Sequence, residues 1–261
     1  MGRIAIIGAG KMGSAFYRGL VSEVGDENLA VCDKHPEKLA ALRAGGMFTD
    51  PNSALEGVDT VIIAVKPQGF PELADQITVP MGNTLVISLM AGIPLAKLKS
   101  SMESGAVIRA MPNLAASVSR SVTAWVGADG TSSEQRDRAR AIFRAVGKDI
   151  ELREERMLDA FTALAGSGPA YYFRMCEILQ KKAQSMGFSP EDALTIAKET
   201  LIGSALVLAG NADPASLVTA VASKGGTTEA ALKIFADADL EGLVSRAVDA
   251  AAKRSTELSK S

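Results

Sequence analysis

Three glycines stand at G-x-G-x-x-G spacing in the run Gly8, Ala9, Gly10, Lys11, Met12, Gly13, directly after the apolar segment Arg3–Gly8. Each answers a separate need of a bound pyrophosphate. The first permits a tight turn, the second lets phosphate approach the backbone, and the third lets the next helix press against the strand. Amides at the start of that helix then favour negative charge. An acidic residue, Asp33, ends the following β-type run, Leu29–Asp33, where it can accept hydrogen bonds from a ribose hydroxyl and repel a 2′-phosphate. Lys34, His35 and Lys38 come at once after it and offer compensating charge, so the residues lean to NADH without excluding NADPH. His35 is expected to line a loop or the adenosine edge.

Two further groups of residues are placed for chemistry. Ala64, Val65, Lys66 and Pro67 close the apolar run Thr60–Val65. In a doubly wound sheet, ligands gather beyond the carboxyl ends of the strands, which puts these residues beside the nicotinamide end of a dinucleotide. The same reasoning places Met90, Ala91 and Gly92 after Thr84–Leu89, and Met111, Pro112 and Asn113 after Ala106–Arg109. The second group is the run Gly225, Gly226, Thr227, Thr228, between two helical stretches. Its amides and hydroxyls either cap the next helix or form a nest for a small carboxylate, and each threonine brings one O–H donor.

The elements that must carry these groups change character along the chain. Up to about residue 158, short β-branched runs alternate with helical stretches at Met12–Val24 and Pro36–Arg43. The near-continuous apolar character of the runs fits parallel strands covered on both faces. Alternation of this kind indicates a doubly wound α/β (Rossmann) domain over residues 1–158, to which Thr123–Gly127, a helix Ser132–Val146 and Asp149–Leu152 can add edge strands. Residues 159–261 read as all-helical. Tyr172, Cys176, Leu179, Ala183 and Met186 share one face of a helix over Ala170–Met186, and Pro190 opens a second helix running to Leu208 that is apolar nearly all round. Such a helix belongs inside a bundle or against another chain. Gly210, Asn211 and Pro214 mark the following turn, and a last helix covers Leu240–Leu258. Trp125, Tyr171, Tyr172 and the methionines are read as packing residues.

Composition narrows the function. Lys+Arg 28 against Asp+Glu 30 gives no basic surface for nucleic acid, and no segment reaches the roughly 20 apolar residues that span a bilayer. One histidine, His35, leaves little material for a metal centre or a histidine-based triad, and the two cysteines, Cys32 and Cys176, suit a reducing cytoplasm. The helical half is too apolar to stand alone, so at least a homodimer is expected.

Five segments, GAGKMG (8–13), AVKP (64–67), RAMPN (109–113), GSGPAYYF (166–173) and ASKGGTTEAAL (222–232), resemble the pyrroline-5-carboxylate reductases in the family's order. The resemblance implies a Rossmann domain followed by a helical domain that interlocks with its partner. It implies reduction of the C=N bond of 1-pyrroline-5-carboxylate to L-proline by NADPH or NADH. It maps the contact to the ring nitrogen, the catalytic role, onto Thr228. The carboxylate maps onto Ser223, Gly225, Gly226 and Thr227, in a site built partly from the partner chain. Leu114 and Ala115 stand where the family usually has Thr-Pro, Lys224 where it has Pro, and Glu229 where the residue is often apolar. A β-hydroxyacid dehydrogenase would carry a catalytic Lys and an Asn four residues later on the helix that here begins GSGPAYYFRMCEIL, and neither is present. The intact GGTT run argues against a non-catalytic nucleotide-binding regulator.

Overall fold

The computed structural model describes residues 1–42, 44–210 and 213–260, with residue 260 described by its backbone alone. The expected helix residue Arg43 and turn residue Asn211 lie outside the described residues. Eight strands, β1 (Ile4–Ile7), β2 (Leu29–Cys32), β3 (Gly46–Phe48), β4 (Thr60–Ile63), β5 (Leu85–Ser88), β6 (Val107–Met111), β7 (Ser121–Gly127) and β8 (Gly147–Glu151), form one sheet in the order β3-β2-β1-β4-β5-β6-β7-β8. Strands β1 to β6 are mutually parallel where they pair, β7 runs antiparallel to β6, and β8 runs parallel to β7.

Strands whose side chains are apolar at every position need cover on both faces. Alternation does the sorting. Ile4, Ile6, Leu29, Val31, Leu85 and Ile87 point into one core with Phe16 and Leu20 of α1 (Lys11–Val24). Ala5, Ile7, Ala30, Cys32, Val61 and Ile63 point into a second core on the other face. The first core is closed by Ala139, Ile142 and Phe143 of α6 (Ser133–Arg144), the second by residues of α3 (Pro51–Leu55), α4 (Phe70–Gln76) and α5 (Leu95–Met102). Helix α2 (Pro36–Leu42) follows β2 and buries Leu39. Strand β6 runs two residues beyond the expected Arg109, so that Met111 belongs to the strand. Strand β7 is internal rather than an edge, with β8 outside it.

The helical part comprises α7 (Met157–Phe161), a single π-turn at Thr162–Gly166, α8 (Gly168–Ser185), α9 (Pro190–Leu208), α10 (Pro214–Val221), α11 (Thr227–Asp237) and α12 (Leu240–Lys260). The chain resolves into two compact units, Met1–Ser167 with Ala251–Ser261, and Gly168–Ala250. The expected boundary near residue 158 falls inside the first unit, because Leu158 packs with Met111, Ala124 and Val126. The end of α12 is fastened in the same unit, where Asp159 accepts hydrogen bonds from Ser255 (2.7 Å), Ser259 (3.2 Å) and Thr256 (3.3 Å).

In the second unit, α9 starts as the sequence indicates, with Ser189 capping Asp192 N–H and Pro190 in the first turn. Its apolar residues Leu194, Ile196, Ile202 and Leu206 are exposed in the single chain. Tyr171 and Tyr172 are exposed as well, which corrects their reading as packing residues of the protomer, while Trp125 is fully buried. Among the described residues no helix is long and apolar enough to cross a membrane.

Phe143 joins the aromatic residues of the first core, edge-on to Phe16 at 6.5 Å between centroids and tilted against Trp125 at 5.8 Å. Phe143→Ala is expected to cost about 3–5 kcal/mol. The chain has one tryptophan, so urea unfolding followed by Trp125 fluorescence reads this directly. A loss below about 1 kcal/mol would mean that the core refills around the missing ring.

Candidate active site

The parallel run of β1, β2, β4, β5 and β6 brings Gly8, Asp33, Ala64, Ala91 and Asn113 to one edge of the sheet, because each follows the carboxyl end of its strand. The turn after β1 is the tightest point. Gly8 adopts φ +109°, and a side chain there would meet the Ala64 carbonyl at 2.8 Å. A Cβ on Gly13 would lie 1.8 Å from the Gly8 carbonyl oxygen, so α1 rests on the end of β1 only because that atom is missing. Gly10 is the helix N-cap, has no side-chain cap and no acidic residue follows in the first turn. The first amides of α1 are therefore presented outward, as an anion site requires. A Cβ on Gly10 would meet nothing within 4 Å.

Asp33 is buried at the end of β2. Its Oδ2 accepts the Ala9 N–H at 2.8 Å and its Oδ1 accepts the His35 N–H at 2.9 Å, with Lys38 Nζ 3.3 Å from Oδ1 and 3.4 Å from Oδ2. Burial opposes its ionisation, but the His35 and Ala9 amides and the Lys38 ammonium outweigh that and hold the carboxyl below the usual range. Beneath it, burial first and then Asp50 and Asp33 push the Cys32 thiol up to about 11, so it stays protonated. Lys34 is exposed and lies 3.5 Å from Glu72. The His35 ring is half-exposed, 3.4 Å from Glu37, in the loop expected for it.

Ala64 and Val65 are half-buried, Lys66 is exposed, and Pro67 starts a 3-10 turn, so this segment borders the edge with backbone and the exposed Lys66. Ala91 is exposed in the loop after β5. Asn113 is held firmly: its side chain accepts the Ala115 N–H at 3.1 Å, donates to the Ala165 carbonyl at 3.1 Å, and caps the 3-10 helix Leu114–Val118. Beside the glycine loop is an open cavity of about 420 Å³, lined by Gly10, Lys11, Met12, Arg18, Leu114 and Ser117 among others. Arg18, Leu114 and Ser117 were not singled out as site residues from the sequence. Leu114 brings an apolar side chain to that wall.

Two further residues hold the edge in shape. Arg109, 4% exposed in the middle of β6, donates to Glu155 at 2.8 Å, and the same Glu155 oxygen accepts the Leu95 N–H at 2.9 Å. One carboxylate thus ties the start of α5, strand β6 and the approach to α7. A charged residue inside a buried strand was the available signal, since such a residue needs a partner. Its partner lies in the charged stretch 153–156, where nothing in the pattern points to it.

In the second unit, Gly225 (φ +72°) and Gly226 turn the chain into α11. Gly226 donates its N–H to the Ser223 carbonyl at 2.9 Å and serves as the N-cap without a side-chain cap. Thr227 and Thr228 occupy the first turn, with Thr228 half-buried and Thr227 exposed. The Glu229 carboxylate reaches back to the Gly225 N–H at 2.6 Å. Of the two readings of this run, a hydroxyl cap is absent: the N-cap of α11 has no side-chain hydrogen bond, and a carboxylate sits on the preceding amide.

Residues 155–258 match the family model described as pyrroline-5-carboxylate reductase dimerisation, and residues 3–92 match one described as NADP oxidoreductase, coenzyme F420-dependent. The chain is 33% identical to a pyrroline-5-carboxylate reductase of Aquifex aeolicus, covering 98% of this chain and 97% of that protein. It is 35% identical to one of Methanosarcina acetivorans, covering 99% and 98%. Among solved structures, a pyrroline-5-carboxylate reductase from Coxiella burnetii superposes with TM-score 0.89 at 31% identity, over 100% of this chain and 99% of that one.

The glycine geometry separates two roles that sequence spacing alone assigns to one motif. Gly10→Ala should fold with an unchanged melting temperature and bind NADPH at least about tenfold more weakly, since its methyl enters only the space a pyrophosphate needs. Gly13→Ala should lower the melting temperature, because its methyl overlaps the Gly8 carbonyl. Calorimetric melting and NADPH titration of both variants check this, and equal behaviour would refute the division.

Proposed function

The chain belongs to the pyrroline-5-carboxylate reductase family, and from that premise we propose how its residues divide the work of reducing 1-pyrroline-5-carboxylate to L-proline with NAD(P)H. The unit Met1–Ser167 serves the nucleotide, and the unit Gly168–Ala250 serves substrate and assembly. Gly8, Ala9, Gly10, Lys11, Met12 and Gly13 receive the pyrophosphate on the amides that open α1. Asp33 and Lys34 border the adenosine ribose. Ala64, Val65, Lys66, Pro67, Ala91 and Asn113 line the nicotinamide end. The nicotinamide supplies the hydride.

The observation that carries the substrate assignment is the N-terminus of α11, whose N-cap has no side-chain hydrogen bond and whose first turn holds two threonines behind a Gly-Gly turn. Amides of that kind suit a small carboxylate, for which Ser223, Gly225, Gly226 and Thr227 are the proposed holders. Thr228 Oγ1 then lies at the ring nitrogen, positioning it or giving it a proton. A protonated C=N is strongly electrophilic, so orientation does most of the work: donor and acceptor carbons must be held roughly 3–3.5 Å apart. The exposed apolar residues of α8 and α9 support assembly as a homo-oligomer, in which each chain lends its segment 223–228 to a partner's site. The two free cysteines are in keeping with a cytoplasmic setting, and the near-balanced charge with a small-molecule partner rather than nucleic acid.

Thr228→Ala should lower kcat by roughly 10²-fold or more while leaving the Kd for NADPH nearly unchanged, as rapid kinetics and equilibrium titration will read. Unchanged turnover would remove Thr228 from the mechanism. The Glu229 carboxylate on the Gly225 amide stands where the substrate's own carboxylate is proposed to bind, and must yield to it. Glu229→Gln should therefore lower KM for the imine acid severalfold, at little change in KM for NADPH, and a raised KM would show that Glu229 helps the substrate.

A further inference from the structure

A carboxylate at the end of the second strand of such a fold ordinarily accepts the ribose hydroxyls and turns away a 2′-phosphate. Asp33 is already engaged by its own chain. Both of its oxygens already accept backbone N–H groups, one from Ala9 in the glycine loop and one from His35, and the Lys38 ammonium lies across both oxygens at 3.3 and 3.4 Å. Three basic side chains, Lys34, His35 and Lys38, follow Asp33, but they are not equivalent. Lys34 leans on Glu72 at 3.5 Å, and the His35 ring faces Glu37 at 3.4 Å. Lys38 alone of the three is directed at Asp33, whose side chain is 8% exposed. Helix α2 sets this up, since Pro36 starts it and Lys38, two residues later, turns back over the end of β2.

We propose that Lys38 is the residue that sets cofactor selectivity: it cancels the Asp33 charge, and so admits the 2′-phosphate of NADPH to a site whose acidic residue would otherwise reject it. Asp33 is left to brace the glycine loop through Ala9, and Lys38 acts through Asp33 as a positioned counter-charge. The inference concerns the adenosine end and does not depend on the assignment of residues 223–228.

The test compares Lys38→Met, Lys38→Arg, Asp33→Asn and the double variant Asp33→Asn/Lys38→Met. Two readouts are used: calorimetric binding of 2′,5′-ADP against 5′-AMP, and the ratio of kcat/KM with NADPH to that with NADH. Lys38→Met should lower both selectivity ratios on the order of tenfold, the scale of an uncompensated like charge close by near the protein surface. Lys38→Arg should keep them. In the Asp33→Asn background the Lys38→Met change should have little further effect, because no charge remains to cancel. Equal losses for both nucleotides, or unchanged ratios, would overturn the proposal. So would an effect of Lys38→Met just as large without the Asp33 charge, since Lys38 would then be acting on the phosphate directly.

Discussion

Helix α1 can start where it does because nothing stands between Gly13 and the carbonyl of Gly8. That contact sets the angle at which the helix leaves the sheet, and with it the direction in which its first amides point. Everything at the nucleotide edge is referred to this point. Asp33 braces Ala9 from the neighbouring strand, and Ala64 closes on Gly8 from the other side. A dipole end is useful only if it is aimed, and here it is aimed by close backbone packing instead of by a polar side chain.

The far side of the same edge is shaped by an ion pair between buried Arg109 and half-buried Glu155. Arg109 and Glu155 are expensive to remove from water, and their attraction does little more than offset that cost. Their value is geometric, because Glu155 also takes the Leu95 amide, so loops that follow two different strands share one anchor. Asn113 works in the same way with neutral groups, spending its amide on Ala115 and Ala165. Both walls of the edge are thus fixed by hydrogen bonds within one unit.

Much of this was legible in the amino-acid order. β1, β2, β4 and β5 are four-residue, mostly apolar runs buried on both faces, and such runs are visible without a partner. Helices α8, α9 and α12 show themselves by spacing over many turns, and α9 begins at the expected proline. The short elements β3, α3, α4 and α5 did not, because three to eight residues give too little periodicity to register. The antiparallel turn of β7 is set by its neighbours in the sheet, which spacing does not encode. Of the nucleotide edge, the glycines and Asp33 were readable because their chemistry is local. The occupation of Asp33 by Ala9 and Lys38, and the joining of Arg109 to a residue 46 positions away, were not, because both depend on which strands lie side by side. The exposure of Tyr172 misled for a different reason: an apolar helix face looks the same whether its cover comes from its own chain or another.

The central claim is that a ring acid is held by the backbone at the start of α11 while the glycine loop of the nucleotide unit holds the hydride donor. A crystal structure of the complex with L-proline and oxidised cofactor tests it most directly. The account predicts the proline carboxylate on amides of residues 223–227, its ring nitrogen at Thr228 Oγ1, and Glu229 swung off the Gly225 amide. Proline bound elsewhere, with that segment unchanged, would contradict it.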